Sequence, residues 1–570
     1  MIRRMMPLVA VIAFWCIALP AAAQGRGGGA GAGGRGGAAG SGPTVMTDQT
    51  VIGRIWNEGM TSRSQAATLS QTLLDSIGPR LTGSPGMEAA SRWVISKYTS
   101  WGIPARAEQY GTWAAWRRGA SHIDLIAPRM RSLEGMMLAW SPGTNGRPVE
   151  GEVVLLPDVP DSASFTRWLP GVRGKFVMLN PAQPTCRSAA QWTEFGQPAS
   201  IERLAGDRVA MTQAWQQRLL RISGERLPPE PAQPAPEADV QARTQAVNAA
   251  VARVTRAMQA RLQQAGVAGV LTLNWSQYPG INKIFGNWNQ RVPTLDLSCE
   301  DYGLVFRLAE NRQGPRIRLT AESESLGERP VFNTIAEIKG TAKPDEYVIL
   351  SAHFDSWDGS SGATDNGTGT ITMMEAMRIL KTVYPNPKRT ILVGHWSGEE
   401  QGLNGSRAFS EDHPEIVKGL HMLFNQDNGT GRVANMSPGG IAAAGPALFS
   451  YLQQIPTPIT QHITFRGPGG PATGGSDNAA FACYGTAAIG LSALGWDYGS
   501  TTWHTNRDTY DKLVMDDLKN NATLTAMLAY LASEDPQFIQ RDPAMNAATG
   551  LPVAFAPCPK ATRKSMDSSR

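Results

Sequence analysis

The chain has 570 residues, enough for more than one hydrophobic core and for three or four domains at about 150 residues each. Hydrophobic residues make up 42% of it and charged residues 18%, which is typical of a soluble globular protein and excludes a collagen, a coiled coil and a disulfide-rich miniprotein. The formal net charge of +5 is spread over the whole chain, and without a dense basic stripe or tail it argues against nucleic-acid binding.

Residues 1–23 have the features of a secretory signal peptide. Arg3 and Arg4 precede an apolar run from Leu8 to Leu19, and the segment ends in three alanines. The run is shorter than the roughly 20 apolar residues that span a bilayer, which favours cleavage over a retained anchor. We therefore expect an exported protein, periplasmic or extracellular, with no stable membrane insertion after cleavage.

Four cysteines lie beyond this segment, and none of them forms a CxxC motif: Cys186, Cys299, Cys483 and Cys558. Export permits disulfides, but four cysteines allow three complete pairings and the sequence does not choose between them. We expect at most one bridge.

The first 300 residues divide into three further parts. Residues 24–45 are a Gly-rich linker without the means to build a core. Helical patterns predict that 46–125 is a helical part of the chain that precedes the β-type runs. Short β-type runs predict that 126–300 is a smaller β-rich insert, with a helical excursion over 200–265 that a Pro-rich stretch interrupts.

From residue 330 onward, strands and helices alternate. Four buried strands are predicted, at 346–352, 389–397, 421–427 and 486–491, with helices near 368–382 and 400–411. This order is typical of an α/β fold with a mostly parallel sheet and helices on both faces. The core is expected to span 330–540, followed by a C-terminal tail over 541–570.

Side chains that can bind metals follow these strands, where ligands bind in α/β sheets. They are His353 and Asp355 after the first strand, Asp365 in the next loop, Glu399 and Glu400 after the second strand, Asp427 after the third, and His504 in a later loop. Carboxylates this close would repel one another, and two divalent cations would remove that repulsion. Imidazole and carboxylate ligands suit zinc. The competing interpretation, helix caps and surface acids, explains a single carboxylate but not the whole set.

The motifs around these residues resemble those of the co-catalytic dizinc exopeptidases, a family that includes zinc aminopeptidases and glutamate carboxypeptidases. In chain order the motifs are IGPRLTGSPGMEAASRWVISKY, HFDSWDGSSGATDNGTG, SGEEQGLNGSRAF, QDNG, GGSDNAAF and WHTNRDTYDKL. The resemblance covers about 50–125 and 330–535, and the step from His353 to Asp365 is most similar to the plasma glutamate carboxypeptidase branch. The 126–300 region resembles a protease-associated domain more distantly.

The resemblance implies two Zn²⁺ ions per chain. Asp365 would bridge both ions. His353 and Asp427 would complete the ligands of one ion, and Glu400 and His504 would complete those of the other.

The resemblance also implies roles beyond metal binding. Glu399 would be the general base. Asp355 would also take part in catalysis, as a hydrogen-bond acceptor that fixes the tautomer of His353. The peptide bond after the bridging aspartate would be cis. Two departures from the family pattern, Asn478 and Thr486, lie where relatives have groups that affect the intermediate or specificity.

The expected function is hydrolysis of peptide bonds in short peptides or dipeptides by an exported aminopeptidase or dipeptidase, with Glu399 as the base on a water that bridges the zinc ions. One alternative keeps the metal centre and changes the bond, as in an amidohydrolase of N-acyl amino acids or a glutaminyl-cyclase-like enzyme. Another is a non-catalytic, receptor-like relative, which the presence of all five ligands disfavours. The expected partners are a short peptide and, as an open alternative, a second copy of the chain in a homodimer.

Overall fold

A computed structural model describes residues 49–225, 237–287, 291–465, 467, 469–546 and 549–565. The predicted signal peptide (1–23) and Gly-rich linker (24–45) lie outside the described residues. Within the described ranges, every helix is too short or too polar to cross a membrane.

The first half of the described chain carries eight helices and seven strands. They are α1 (Val51–Met60), α2 (Ala66–Gln71) with a π-helical turn at Thr72–Ile77, α3 (Pro85–Ser100), β1 (Ala105–Ala127), β2 (Arg131–Ser132), β3 (Gly135–Met137), β4 (Val149–Leu155), α4 (Ser162–Trp168) with a 3-10 turn at Leu169–Val172, β5 (Phe176–Met178), α5 (Ala189–Phe195), α6 (Pro198–Ser223), α7 (Glu237–Ala265), β6 (Gly269–Thr272), β7 (Thr294–Leu297) and α8 (Cys299–Glu310).

The second half alternates strands and helices. Its elements are β8 (Arg316–Ile338), β9 (Lys343–His353), a turn at Ala363–Gly367, α9 (Thr368–Val383), β10 (Arg389–Trp396), α10 (Asn404–Asp412), α11 (Pro414–Gly419), β11 (Leu420–Asn425), β12 (Val433–Met436), α12 (Ala444–Gln454), α13 (Thr457–Thr460), β13 (Thr464–Phe465), α14 (Ala479–Ala482), β14 (Ala488–Ala493), short helical turns at Tyr498–Thr502 and Tyr510–Lys512, and α15 (Met515–Glu534).

The strands form one large mixed sheet. Its order is β13-β12-β14-β11-β9-β10-β8-β4-β5-β6-β7-β3, with β1 paired to β8 and to β2. In the half that carries the predicted core, β9 lies parallel to β10 and to β11, and β11 lies parallel to β14. The expected α/β class with a mostly parallel sheet is confirmed.

Alternating residues of the central strands face two helical layers. Val348 and Leu350 of β9 pack in a cluster with side chains of α1, α9 and α15. Ile349 faces the opposite way, in a cluster with side chains of α10, α11 and α14. Strands covered on both faces carry near-continuous apolar runs, and β10, β11 and residues 347–353 of β9 are buried. Helices on both faces are therefore also confirmed.

β1 and β8 form a long antiparallel pair that the sequence did not predict. β1 and β8 pair along nearly their full lengths, from Ala105 opposite Ala336 to Ala127 opposite Arg316. The helical expectation for 46–125 is thus wrong over 105–125, although α1 to α3 lie between residues 51 and 100. About 200 residues of sequence separate the two strands. Many of their side chains are small or polar, so neither strand has a clear two-residue hydrophobic period.

The 126–300 region extends the same sheet beyond β8. β4 pairs with β8, and β5, β6 and β7 follow in parallel. The helices α6 and α7 pack over these strands through a cluster that includes Leu219, Val254 and Leu262. That the 126–300 region forms a domain separate from the rest of the chain stays a prediction.

Two disulfides are present, so the expectation of at most one bridge is wrong. Cys186 pairs with Cys299 across 113 residues, and Cys483 pairs with Cys558 across 75. Partners this distant in sequence are brought together only by the tertiary fold, which cysteine spacing does not encode.

Candidate metal centre

The fold brings the predicted site residues to one edge of the sheet. His353 is the last residue of β9, Glu399 and Glu400 follow β10, and Asp427 follows β11. These three strands are adjacent and parallel, so their carboxyl ends meet. Asp365 lies in the turn before α9, and His504 comes from a loop after β14.

The side chains form two groups that share one carboxylate. In the first, Nε2 of His353 lies 3.0 Å from Oδ1 of Asp427 and 3.3 Å from Oδ1 of Asp365. In the second, Nε2 of His504 lies 2.9 Å from Oε2 of Glu400 and 3.3 Å from Oδ2 of Asp365. The potential ligand atoms of each group lie within 4.8 Å of one another.

This donor set fits two zinc ions. Each group offers one imidazole nitrogen and two carboxylate oxygens, which are zinc ligand types. Oε1 of Glu400 is buried without a hydrogen-bond partner among the described groups, so this oxygen is available to coordinate a metal ion. Asp365 offers a different oxygen to each group, as a bridging carboxylate would.

The carboxylates of the two groups strongly affect the pKa values of the two histidines. Burial lowers the pKa of His504, but the nearby charges of Glu400 and Asp365 outweigh it and raise that pKa to about 9. The pKa of His353 is likewise raised, because Asp427 and Glu399 outweigh the effect of burial. The carboxylates therefore favour positive charge at both imidazoles, the environment expected of a cation site.

Glu399 lies among the same charges. Burial raises the pKa of Glu399 well above its ordinary range, and the carboxylates of Asp427 and Asp477 add to this increase while His353 opposes it. A carboxyl group in these surroundings has an increased affinity for a proton, and proton uptake is the step that a general base performs.

Asp355 supports the site in a way that differs in part from the expectation. Nδ1 of His353 donates to the backbone carbonyl of Asp355 at 3.0 Å, whereas the Asp355 carboxylate is 3.8 Å away. That carboxylate instead accepts from the backbone N–H groups of Glu399 and Glu400, at 3.1 and 3.3 Å, and from the hydroxyl of Thr82. The carbonyl thus fixes the tautomer, and the carboxylate holds the turn that carries the two glutamates.

Two buried residues that the sequence did not single out, Asp508 and Arg80, hold the loops around Asp365. Asp508 accepts from the N–H groups of Thr364 and Asp365, at 2.8 and 3.0 Å. Arg80 donates to four backbone carbonyls, three of them in the loop after β9. Both residues lie inside motifs that mark the resemblance, and motif membership was the only signal that could have singled them out. The peptide bond after Asp365 is cis, as the resemblance implies.

The other histidines lie apart from the two groups. His395 is buried, with Nε2 2.8 Å from the hydroxyl of Tyr98, and His421 is buried beside Tyr451. His413 contacts Glu108, and His122 and His462 are exposed.

Comparison with known proteins supports the same family. A family model, Peptidase family M28, matches residues 333–529. Carboxypeptidase Q of Rattus norvegicus is 25% identical over 358 residues, which are 63% of this chain and 63% of that protein. Carboxypeptidase Q of Xenopus laevis is 32% identical over 169 residues, 30% of this chain and 36% of that protein. The chain thus matches less than two thirds of the length of these curated relatives.

A solved structure has a similar fold. The peptidase M28 precursor from Shewanella amazonensis superimposes with a TM-score of 0.59 at 21% identity, covering 86% of this chain and 97% of that one. The family model covers β9, β10 and β11 and all seven predicted site residues, His504 included. Residues 333–529 of the chain therefore match the Peptidase family M28 domain.

Proposed function

We propose that the chain is an exported zinc-dependent exopeptidase that hydrolyses short peptides or dipeptides. One zinc ion would be bound by His353, Asp365 and Asp427, and a second by Asp365, Glu400 and His504. The observation that carries this proposal is the shared position of Asp365, which places one oxygen 3.3 Å from each histidine.

Zinc ions bound there would polarise the scissile carbonyl and lower the pKa of water. The chain's own contribution to proton transfer is Glu399, which would take a proton from the attacking water and deliver it to the leaving amine. Asp355 supports this role, because its carboxylate accepts from the backbone N–H of Glu399 at 3.1 Å and so fixes the position of the Glu399 main chain.

The peptidase assignment also draws on the M28 match and on the curated relatives named Carboxypeptidase Q. Aminopeptidase or dipeptidase activity is the form that we propose, since free substrate termini suit a restricted site beside the metals. The two disulfides support export, because disulfides persist in oxidising compartments.

Cleavage rates over a panel of dipeptides, tripeptides, aminoacyl anilides and N-acylated amino acids test this proposal. We expect turnover of unblocked peptides, one residue at a time from an end, and little turnover of N-acylated compounds. Turnover confined to N-acylated amino acids, or cyclisation of N-terminal glutamine, would contradict the exopeptidase assignment.

A further inference from the structure

The two histidines of the candidate centre are supported differently. Nδ1 of His353 donates to the carbonyl of Asp355 at 3.0 Å, which holds the ring in one orientation. Nδ1 of His504 is buried, and none of the described residues offers it a hydrogen bond. Metal-binding histidines normally have the second nitrogen held in this way. The orientation of His504 must therefore depend on its ring packing and its backbone.

The backbone of the His504 loop is paired with a segment of the 126–300 region. The N–H of Ile284 donates to the carbonyl of His504 at 2.7 Å, and the N–H of Asn506 donates to the carbonyl of Asn282 at 3.0 Å. This short antiparallel pairing fixes the chain at the histidine and two residues after it.

Lys283 adds a side-chain contact to the same pairing. Its ammonium donates to the carbonyl of Trp503 at 2.8 Å and lies 4.3 Å from the centre of the Trp503 ring. Lys283 is almost fully buried, so both contacts are shielded from water. The residue immediately before His504 is thus held by its backbone and by its ring.

Three aromatic rings enclose the His504 imidazole. Trp503 is stacked on it at 4.0 Å between ring centres. Phe285 approaches with an edge at 5.1 Å, and Trp357 at 5.9 Å. Phe285 also contacts both tryptophans, at 5.9 and 6.2 Å, so it connects the walls of this enclosure.

The segment is itself anchored to the sheet. The carboxylate of Asp296, on β7, accepts from the N–H of Lys283 at 3.2 Å and from that of Asn274 at 2.7 Å. The side-chain amide of Asn282 donates to the carbonyl of Asp296. Residues 282–285 therefore form a rigid support rather than a loose loop.

We propose that residues 282–285 position the imidazole of His504 for metal binding, with Phe285 and Lys283 as the positioning residues. This inference rests on the proposed function, in which His504 is a zinc ligand. The packed rings hold the His504 imidazole in place of a hydrogen bond to Nδ1, and the backbone pairing fixes the position of the His504 main chain. A part of the chain outside the M28 match thereby controls one half of the metal centre.

The test is zinc affinity, measured by competition with a chromogenic chelator. Phe285→Leu removes the ring edge and keeps an apolar side chain, so one of the two zinc equivalents should be held about tenfold or more weakly. The affected equivalent should be the one that His504→Ala removes. Phe285→Tyr retains the ring and should restore the affinity. The matched control is Phe195→Leu, because Phe195 belongs to the same region but is 73% exposed.

A second variant tests the side-chain contact of Lys283 with Trp503 independently. Lys283→Met removes the ammonium at similar volume and should weaken the same zinc equivalent. Lys175→Met is its control, since Lys175 pairs with Glu152 on a distant strand of the region. Thermal unfolding of the metal-free variants shows whether each still folds.

Two results separate the failure of this inference from that of the proposed function. If folded Phe285→Leu and Lys283→Met both hold two zinc ions as tightly as the wild type, the positioning role is wrong and the dizinc assignment stands. Equal weakening of both equivalents would also overturn it, because a general loss of structure would explain that. A wild-type protein without zinc affinity would contradict the proposed function, and with it this inference.

Discussion

Glu399 and Glu400 are adjacent in the chain but meet different neighbours. Oε2 of Glu400 lies 2.9 Å from Nε2 of His504, within one of the two candidate ligand groups. Glu399 belongs to neither group and lies among the charges of His353, Asp427 and Asp477. Two residues of the same type can therefore have separate roles, coordination for one and proton transfer for the other.

This separation predicts different effects of the same substitution. Glu399→Gln keeps the size of the side chain but removes the basic carboxylate, so kcat should fall by about 10²–10⁴ while zinc content stays near two. Glu400→Gln should lose or weaken one zinc ion, because a neutral amide is a poor substitute for an anionic ligand. Kinetics and elemental analysis of each variant measure the two effects.

Glu415→Gln is the matched control, because Glu415 is exposed and lies apart from the centre. It should change neither kcat nor zinc content. If Glu399→Gln and Glu400→Gln both retain two zinc ions and near-normal turnover, the two glutamates only stabilise the start of the following helix.

The buried His421 makes stability depend on pH. Burial, together with the positive charge of Arg389, lowers the pKa of His421 to about 3 in the folded protein. An unfolded histidine binds a proton below about pH 6.5. The unfolded chain therefore binds more protons than the folded one between these values, so the stability that neutral His421 allows is present above pH 6.5 and is lost as pH falls.

His421→Asn should remove this dependence. The asparagine oxygen can still accept from the N–H of Ile539, as Nδ1 of His421 does at 3.1 Å. Between pH 7 and pH 5, the free energy of unfolding should decrease by about 2 kcal/mol less than in the wild type. Urea unfolding at several pH values measures this difference. His462→Asn, at an exposed position, should leave the wild-type dependence unchanged, and an identical profile for both variants would refute the assignment.

At the scale of elements, the loop after β9 depends on a single cation. The buried guanidinium of Arg80 donates to the carbonyls of Phe354, Ser361 and Gly362 at 2.7–3.0 Å. Burial lowers the pKa of Arg80 to about 10, so the group stays charged at neutral pH. The carbonyl of Gly362 also accepts from the N–H of Gly367, whereas the donor to the carbonyls of Phe354 and Ser361 is Arg80.

Arg80→Lys should destabilise the protein, although it preserves the charge. A lysine ammonium cannot reproduce the planar fork of an arginine, so some carbonyls lose their partner. We expect a loss of about 2–4 kcal/mol in the free energy of unfolding. Urea unfolding measures it, with Arg63→Lys as the control because Arg63 is mostly exposed. Equal stability of the two variants would show that the loop does not need the fork.

The elements that the sequence could predict are those with a local signal. β9, β10 and β11 are apolar runs followed by polar motifs, and both features are visible within a few residues. The pairing of β1 with β8 and the contacts of residues 282–285 depend on partners far away in sequence. The ligand candidates could therefore be identified from the sequence, whereas the supports of His504 and of the loop after β9 could not.

At the scale of the whole molecule, the C-terminal tail is attached to the helical layer beside the candidate metal centre. Cys558 is bonded to Cys483, next to α14. Further along, Arg563 pairs with Glu411 and Asp412 of α10, the helix that follows the two site glutamates. The tail thus braces α10 from outside, together with β1, whose Thr112 donates to the carbonyl of Arg563.

Loss of the Cys483–Cys558 bond should weaken this brace. Cys558→Ser should lower the free energy of unfolding by about 2–4 kcal/mol, because the unfolded chain regains the freedom that the closed loop had removed. The double variant Cys483→Ser/Cys558→Ser should lose no more than the single one, since the bond is already absent. A larger loss in the double variant would assign the effect to packing of the cysteines instead. Urea unfolding without reductant compares them.

The central claim, a dizinc peptidase centre built around Asp365, is tested most directly by counting metal in active protein. Purified protein that hydrolyses peptides should carry close to two zinc equivalents per chain. Removal of the zinc by a chelator should abolish the activity, and added zinc should restore it. His504→Ala should retain one equivalent, because His353, Asp365 and Asp427 still form a complete group. Active protein that contains no divalent metal would contradict the account.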